Sequence, residues 1–216
     1  PPPPPPPPPA PAPPPQPRRG PRGGGAPPPP QRPGPQRQPP PPEATRHPPP
    51  PPEPETIPDA ASIRAALVQL APFDALVSTA GRVKFAPLEE MSEADYQIGL
   101  KDKLMGQVNL VLIGRELIAD GGSFTLTSGV LSHDPVRYGS SASMVNGAIE
   151  AFVRAAAIEL PRGLRINVVS PGVLVESLPA FGPFFRGHEP VPGTRVAFAY
   201  AKSVEGARTG QVFEVL

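Results

Sequence analysis

Three short turns in this sequence combine small side chains with hydroxyl groups. They span Ser78–Gly81, Thr127–Gly129 and Ser170–Gly172, and each follows a short apolar segment typical of a buried strand. Small residues let the backbone come close to a ligand, and α/β sheets bind their ligands at the carboxyl ends of parallel strands. Three such turns in register favour a nucleotide-type cleft. The alternative is that small residues simply suit tight strand-to-helix turns.

Strands and helices alternate along residues 57–216, and this order predicts the framework that positions the turns. Apolar segments of strand length alternate with longer segments of helical periodicity. The predicted strands are Phe73–Ser78, Ser123–Ser128, Arg165–Ser170 and Gln211–Val215. The predicted helices are Asp59–Leu70, Ser92–Ala119, Ser141–Leu160 and Thr194–Val204. We therefore expect a Rossmann-like, doubly wound α/β fold whose parallel sheet is covered by helices on both faces.

Local signals refine two of the predicted helices. Ser92 and Asp95 resemble a capping box at the start of the second helix. Gly121–Gly122 is predicted to end that helix, because glycine is the preferred residue after a helix C-terminus. Glu150 and Arg154 in the third helix are spaced four residues apart, which predicts an ion pair on its solvent side.

Residues 57–216 resemble the short-chain dehydrogenase/reductase family. Ser78–Gly81 stands where the family has an Asn-Asn-Ala-Gly turn, and Arg165–Val173 looks like its strand into the Pro-Gly turn beside the nicotinamide. Ala148–Leu160 is similar to the family's long helix, and Thr209–Val212 resembles its last strand. The resemblance implies an NAD or NADP cofactor, hydride transfer on a small-molecule carbonyl or alcohol, association into homo-oligomers through the long helices, and no metal site. The implied cofactor-binding residues are Thr79, Ala80, Gly81, Pro171, Gly172 and Val173.

The family's chemistry requires a serine, a tyrosine, a lysine and an asparagine. Hydride addition to a carbonyl leaves an alkoxide, which takes a proton from a tyrosine whose pKa is lowered by the lysine. The serine hydroxyl hydrogen-bonds the carbonyl oxygen, and Ser128 matches that serine. The tyrosine position is occupied by Ala142, the lysine position by Asn146 and the asparagine position by Lys103.

Lysine and asparagine thus stand in each other's places. We expect that Lys103 and Asn146 have exchanged positions across facing helices, so that the cleft keeps one cation and one amide. The alternative is that Lys103 is a solvated surface residue like Lys101. The proton donor is not assigned. Tyr138, in the loop before the third helix, is one candidate, although loop tyrosines more often serve packing, and His133 reads as a loop residue rather than an acid.

Residues 1–56 form a proline-rich segment of different composition. Of the 41 prolines in the chain, 32 lie in Pro1–Pro58, and the segment has almost no apolar side chains. We expect it to be disordered, with extended polyproline II character. Pro27–Pro30 followed by Arg32 matches a pattern of SH3 ligands, and the alternatives are a linker or a frameshift or misassigned start near residues 43–57.

The resembled family has its first strand and glycine-rich turn where this segment lies. Gly20, Gly24 and Ala26 nearly reproduce the glycine spacing, but prolines flank them where a strand and a helix are required. We therefore expect an N-terminally incomplete sheet with an exposed apolar edge, and weak dinucleotide binding.

The composition limits the other function classes. The net charge of +1 indicates no nucleic-acid partner, and the absence of cysteine excludes disulfides and thiolate chemistry. No apolar stretch is long enough to predict a membrane span, and a cytoplasmic location is expected. The loop Phe181–Val191 is expected to shape the substrate pocket, with Phe184 and Phe185 either in its wall or in the core.

Overall fold

The computed structural model describes residues 59–216, so the predictions for residues 1–56 lie outside the described part of the chain. Within it, the strands are β1 (Phe73–Val77), β2 (Ile118–Thr127), β3 (Arg165–Pro171) and β4 (Val212–Val215). The helices are α1 (Ala60–Leu70), α2 (Glu93–Gly99), α3 (Met105–Gly114), α4 (Ser140–Glu159), α5 (Leu178–Phe181) and α6 (Gly193–Glu205). A π-helical turn, Leu100–Leu104, joins α2 to α3, and short 3-10 turns occur at Leu88–Glu90, Val130–Ser132 and Val175–Ser177.

The four strands of residues 59–216 form one parallel sheet in the order β1-β2-β3-β4. Helices cover both faces of the sheet. Successive side chains of a strand point to opposite sides, so each strand contributes to both interfaces. On one face, Phe124 and Leu126 are fully buried in the core formed with α1, α3 and α4. On the other, Thr125 Oγ1 lies 2.7 Å from Ser203 Oγ of α6. The predicted α/β fold is confirmed.

Burial of large side chains between sheet and helices holds these layers together. Ile149 and Val153 of α4 are fully buried against Ile166 and Val168 of β3. Each such side chain contributes roughly 1.5–3 kcal/mol through removal from water. The sheet's position under α4 thereby fixes the carboxyl ends of β2 and β3 relative to the helix.

The second predicted helix, Ser92–Ala119, is shorter than expected, and the π-helical turn Leu100–Leu104 divides it into α2 and α3. Its capping box is confirmed, since Ser92 Oγ accepts from the Asp95 N–H and Asp95 Oδ2 accepts from the Ser92 N–H. However, α3 ends at Gly114, and the prediction that Gly121–Gly122 stops the helix is wrong.

The two glycines lie inside β2 and form an irregularity there. The register with β1 shifts between the pairs Phe73–Ile118 and Ala75–Ser123. Gly121 has a φ of +74°, which glycine adopts without strain, and its N–H donates to Arg162 O. Positive-φ glycines suit a bulge as well as a helix end, so the glycine pair alone did not decide between them.

β1 is the outermost strand on one side of the described part of the sheet. Among residues 59–216, β1 pairs only with β2, and Val77 on this strand is 46% exposed. Val68 and Leu70 of α1 are also exposed. The expected exposed apolar edge of the sheet stays a prediction. In the same part of the chain, no helix is both long and apolar enough to cross a membrane.

Candidate active site

A cavity of about 310 Å³ lies at the carboxyl ends of the strands. The three turns predicted from the sequence contribute to its wall after β1, β2 and β3. Their lining residues are Gly81, Ser128, Gly129, Pro171 and Gly172, and Val173, directly after the third turn, also lines the cavity. Lys103 of the π-helical turn and Asn146 of α4 line the same cavity. Thr79 and Ala80 are not among its lining residues.

Gly81 brings the turn after β1 against the π-helical turn. Its φ is +134°, and a Cβ added there would lie 2.7 Å from Cα, Cβ and Cγ of Lys103. A side chain at this position would therefore collide with Lys103. The close approach therefore requires glycine.

Lys103 is directed into the site rather than into solvent. Its Nζ donates to Ser128 O over 3.1 Å at the end of β2. Burial of the ammonium away from water lowers the pKa of Lys103 to about 8. Lys101, two residues earlier, is exposed. The alternative expectation, that Lys103 is solvated like Lys101, is wrong.

Asn146 contacts the same turn from α4. Only 3% of the residue is exposed, and its Nδ2 donates to Gly129 O over 3.4 Å. Its Oδ1 is buried without a hydrogen-bond partner in the described part of the chain. A buried amide oxygen left unpaired costs about 1–3 kcal/mol, so a ligand that donates a hydrogen bond to it would gain correspondingly.

Ser128 donates its hydroxyl hydrogen to Glu150, a carboxylate that was expected on the solvent side of α4. Ser128 Oγ lies 2.9 Å from Glu150 Oε1, and Ser170 Oγ donates to the same oxygen over 3.4 Å. Glu150 is only 7% exposed, while its second oxygen accepts from Arg154 over 3.5 Å. The predicted pairing with Arg154 is present, but the prediction that Glu150 lies on the solvent side is wrong.

The inward orientation of Glu150 follows from the breadth of the buried face of α4. This helix packs on β3 and on the turn Val130–Ser132. Asn146 and Glu150 are one helical turn apart and therefore share a face. The spacing between these two residues is the signal in the sequence that could have identified the buried carboxylate.

Gln107 of α3 is hydrogen-bonded to the end of β2. The sequence patterns did not predict this role. It is fully buried, and its side chain donates to Thr127 O and accepts from Thr127 N, at 2.9 and 2.8 Å. Thr127 Oγ1 donates to Ser78 O and lies 2.6 Å from the Tyr200 hydroxyl. Burial raises the pKa of Tyr200, so this hydroxyl stays protonated. These contacts fix the strand end that presents Ser128.

The two aromatic loop residues occupy different places. Phe185 lines the cavity, whereas the ring of Phe184 packs against those of Phe85 and Tyr138, with centroid distances of 5.3 and 6.3 Å. Tyr138 is not among the residues that line the cavity. His133 is exposed and lies 4.0 Å from Glu214 Oε1, as expected of a loop residue.

Apart from Ser177, the rest of the cavity wall is apolar. Ala142, at the position where the resembled family has its tyrosine, lines it with no hydroxyl to offer. The other apolar lining residues are Val83, Phe85, Val130, Leu131, Leu174 and Phe181. The cavity is thus a mainly apolar chamber with polar groups gathered at the end of β2, which is the usual character of a small-molecule site.

Comparison with known proteins places this architecture among oxidoreductases. Residues 59–183, more than half of the chain, match the family model described as enoyl-(acyl carrier protein) reductase. An uncharacterized oxidoreductase of Methylorubrum extorquens is 32% identical over 114 residues, which cover 52% of this chain and 46% of that protein. The match thus spans less than half of the length of this curated relative.

Solved structures resemble the chain over a larger share. The protein lin1944 from Listeria innocua is 48% identical with a TM-score of 0.73, over 74% of this chain and 80% of that one. A small-chain dehydrogenase solved in complex with NADPH is 26% identical with a TM-score of 0.66, over the same shares of the two chains.

Proposed function

The chain belongs to the short-chain dehydrogenase/reductase family of oxidoreductases, and we propose that it binds NAD or NADP and transfers hydride to or from a small-molecule carbonyl or alcohol. The observation that carries the proposal is the meeting of Lys103, Asn146 and Ser128 in one cavity at the ends of parallel strands. The relative solved with NADPH supports a nicotinamide cofactor.

The residues at the end of β3 fit the nicotinamide end of such a cofactor. Pro171, Gly172 and Val173 line the cavity there, and a Cβ at Gly172 would meet atoms no nearer than 3.6 Å. Asn146 Oδ1 is a buried acceptor without a partner in the described residues, and it suits a ribose hydroxyl. We propose Thr79, Ala80 and Gly81 for the adjoining part of the cofactor, as the family resemblance implies.

Each polar residue has a distinct task in this proposal. The bound cofactor supplies or accepts hydride at its nicotinamide ring. Asn146 holds a cofactor hydroxyl through Oδ1, while its Nδ2 stays on Gly129 O. Ser128 orients the substrate oxygen. For it to donate to a carbonyl, its hydrogen must leave Glu150 Oε1, where it lies in this structure. An alcohol that donates to Ser128 Oγ needs no such change.

The apolar wall supplies the exclusion of water. Val83, Leu131, Phe181 and Phe185 surround the polar groups. A dry chamber strengthens every charge interaction inside it and prevents proton leakage. We propose that the substrate carries an apolar group that contacts these side chains.

Binding of the dinucleotide tests the proposal. The full chain is titrated with NADPH and with NADH, and the fluorescence of the reduced nicotinamide is followed. We expect weak, saturable binding, and we expect Asn146→Ala to weaken it roughly tenfold, because one hydrogen bond is worth about 1–1.5 kcal/mol. Asn109→Ala is the matched control, since Asn109 does not line the cavity. Absence of binding by the unmodified chain would contradict the proposal.

A second candidate is a non-catalytic protein that binds a nucleotide or a partner through the same fold. The observation that favours it is Ala142 in the cavity wall, where the family has its tyrosine. The two candidates differ in one measurement. Saturable dinucleotide binding without oxidation of NADPH by any aldehyde or ketone offered would support the second candidate.

Self-association and location are further proposals. Leu112 of α3, together with Met144 and Ile158 of α4, is exposed, and apolar side chains on these long helices suit contact with a second copy of the chain. Light scattering at increasing protein concentration tests for such an oligomer. We propose a cytoplasmic location, as expected from the sequence.

A further inference from the structure

We propose that Lys103 is the acid–base group of this site: its ammonium gives a proton to the substrate oxygen in reduction, and its neutral amine takes the proton back in oxidation. This rests on the proposed hydride transfer, which itself assigns no proton donor.

Lys103 is the only lining residue of the cavity, within the described part of the chain, whose side chain titrates. The other lining residues are glycines, aliphatic and aromatic side chains, a proline, two serines and one asparagine. Ala142 offers a methyl group. Protonation of an alkoxide formed in this cavity therefore draws on Lys103 or on a group outside the wall.

Ser177 also lines the cavity, but an aliphatic hydroxyl is a far weaker acid than an ammonium group. The other competing hydroxyl groups have contacts of their own. Ser128 donates its hydrogen to Glu150. The Tyr96 hydroxyl lies 2.9 Å from Ser140 Oγ, and the Tyr200 hydroxyl lies 2.6 Å from Thr127 Oγ1. None of the tyrosines in residues 59–216 lines the cavity.

The hydrogen bond to Ser128 O uses only one of the N–H groups of Lys103 Nζ. An ammonium has three N–H donors, and one of those on Nζ is bonded to Ser128 O. Two donors remain for a ligand in the cavity that Lys103 lines. Ser128 carries both the carbonyl that holds Nζ and the hydroxyl that orients the substrate oxygen, so the proton and its acceptor are brought to the same residue.

The charged groups around Lys103 do not hold it in its charged form. Asp102, its neighbour in the π-helical turn, is bonded to Arg82 Nε over 2.9 Å. Glu150 on α4 is paired with Arg154. Loss of water around Nζ is then the dominant effect, and it lowers the pKa of Lys103 to about 8. The remaining titratable groups on the packed elements are Glu93, Asp95 and Tyr96 of α2, Glu159 of α4 and exposed Lys101.

The proposed step consumes only the carbonyl substrate, the reduced nicotinamide and a proton that water replaces. In reduction, the carbonyl carbon gains the hydride from the reduced nicotinamide, and the electron pair of the C=O π bond moves to oxygen. That oxygen forms a bond to a proton of Lys103 Nζ, and the N–H electron pair stays on nitrogen. The carbonyl is reduced, the nicotinamide is oxidised, and the amine regains its proton from water.

The first test observes Lys103 itself and does not depend on turnover. The full chain is labelled with ¹³C in its lysines, and the Cε signals are followed against pH. We expect one signal to titrate near pH 8, to vanish in Lys103→Arg and to persist in Lys101→Arg, since Lys101 is exposed and outside the cavity. A Lys103 signal that remains protonated well above pH 9 would overturn the proposal.

The second test measures NADPH oxidation with benzaldehyde, cyclohexanone and butanal as carbonyl probes. We expect kcat in reduction to fall above about pH 8, and to drop roughly 10²–10⁴-fold in both Lys103→Met and Lys103→Arg, while Lys101→Met keeps the rate and the profile. Circular dichroism verifies that each variant folds.

If Lys103→Met keeps the rate and the pH profile, the role of Lys103 is overturned and hydride transfer stands. If no probe is reduced by the unmodified chain, hydride transfer itself is contradicted.

Discussion

Lys103 and Asn146 reach one turn from two different helices and bind consecutive carbonyl oxygens. Lys103 Nζ donates to Ser128 O over 3.1 Å, and Asn146 Nδ2 donates to Gly129 O over 3.4 Å. The lysine and the asparagine that the family resemblance places in exchanged positions thus act on the same backbone segment. Their shared attachment is a structural reason to expect that the two residues depend on each other.

The shared turn predicts that the two residues are energetically coupled. Lys103→Ala and Asn146→Ala each release one of two adjacent carbonyls, and the second loss disturbs a turn that is already loosened. We expect a coupling energy of about 0.5–3 kcal/mol in a double-mutant cycle, measured by urea unfolding and by NADPH binding. Strictly additive effects of the two substitutions would contradict the coupling.

Replacement of Glu150 is predicted to disturb the site through Ser128 and Ser170. Glu150→Ala leaves both hydroxyls and Arg154 without this acceptor, and we expect a loss of about 1–3 kcal/mol in unfolding free energy. Glu150→Gln keeps one acceptor oxygen and is expected to cost less. Glu159→Gln on the same helix is exposed and is expected to change stability by at most about 0.5 kcal/mol. Equal effects of Glu150→Ala and Glu159→Gln would show that the buried carboxylate is not a structural anchor.

Gly81→Ala is predicted to be strongly destabilising. Its Cβ would collide with Lys103 at 2.7 Å, and its φ of +134° disfavours any side chain. We expect a loss of roughly 2–5 kcal/mol from overpacking and backbone strain together. Gly187 also has a positive φ, of +91°, but a Cβ there would meet nothing within 4 Å.

Gly187→Ala therefore isolates the contribution of the backbone. Thermal unfolding of both variants measures the difference, and we expect Gly187→Ala to cost only the strain, of order 1–3 kcal/mol. If the two substitutions cost the same, the close approach of Gly81 to Lys103 contributes nothing.

The lowered pKa of Lys103 predicts how stability changes with pH. The folded state releases this proton near pH 8, whereas the unfolded chain keeps it up to about 10.5. Between these values the unfolded state binds more protons, so stability rises with pH. We expect the unmodified chain to gain roughly 1–3 kcal/mol relative to Lys103→Met between about pH 7 and pH 10. Urea unfolding of both proteins measures the difference, and a constant gap would contradict the shift.

Much of this architecture could be predicted from the sequence, because periodicity and turn composition report on strands and their ends. The small residues of Ser78–Gly81, Thr127–Gly129 and Ser170–Gly172 located one edge of the sheet, and the cavity lies there. The family resemblance also predicted that Lys103 and Asn146 share one cleft, and both line the cavity. The burial of Glu150 and the place of Gly121–Gly122 inside β2 depend on tertiary packing and did not follow from local sequence patterns.

Two examples show why the remaining features were beyond local patterns. Glu150 and Arg154 have the spacing of a surface ion pair, but α4 packs broadly enough to bury the carboxylate. Gly121–Gly122 has the composition of a helix end, but Ile118 is already a buried core residue of β2. In both cases the deciding contact comes from an element distant in sequence.

A titration of the ¹⁵N-labelled full chain with NADPH, followed through its backbone amides, tests most directly whether the cavity binds the nicotinamide. We expect the amides of Gly81, Gly129 and Gly172, one from each strand-end turn, to shift together and to saturate at one concentration. Gly187, which lies outside the cavity wall, is expected to stay unchanged. Shifts confined to other regions, or none at saturating NADPH, would contradict the assignment of this cavity as the nicotinamide site.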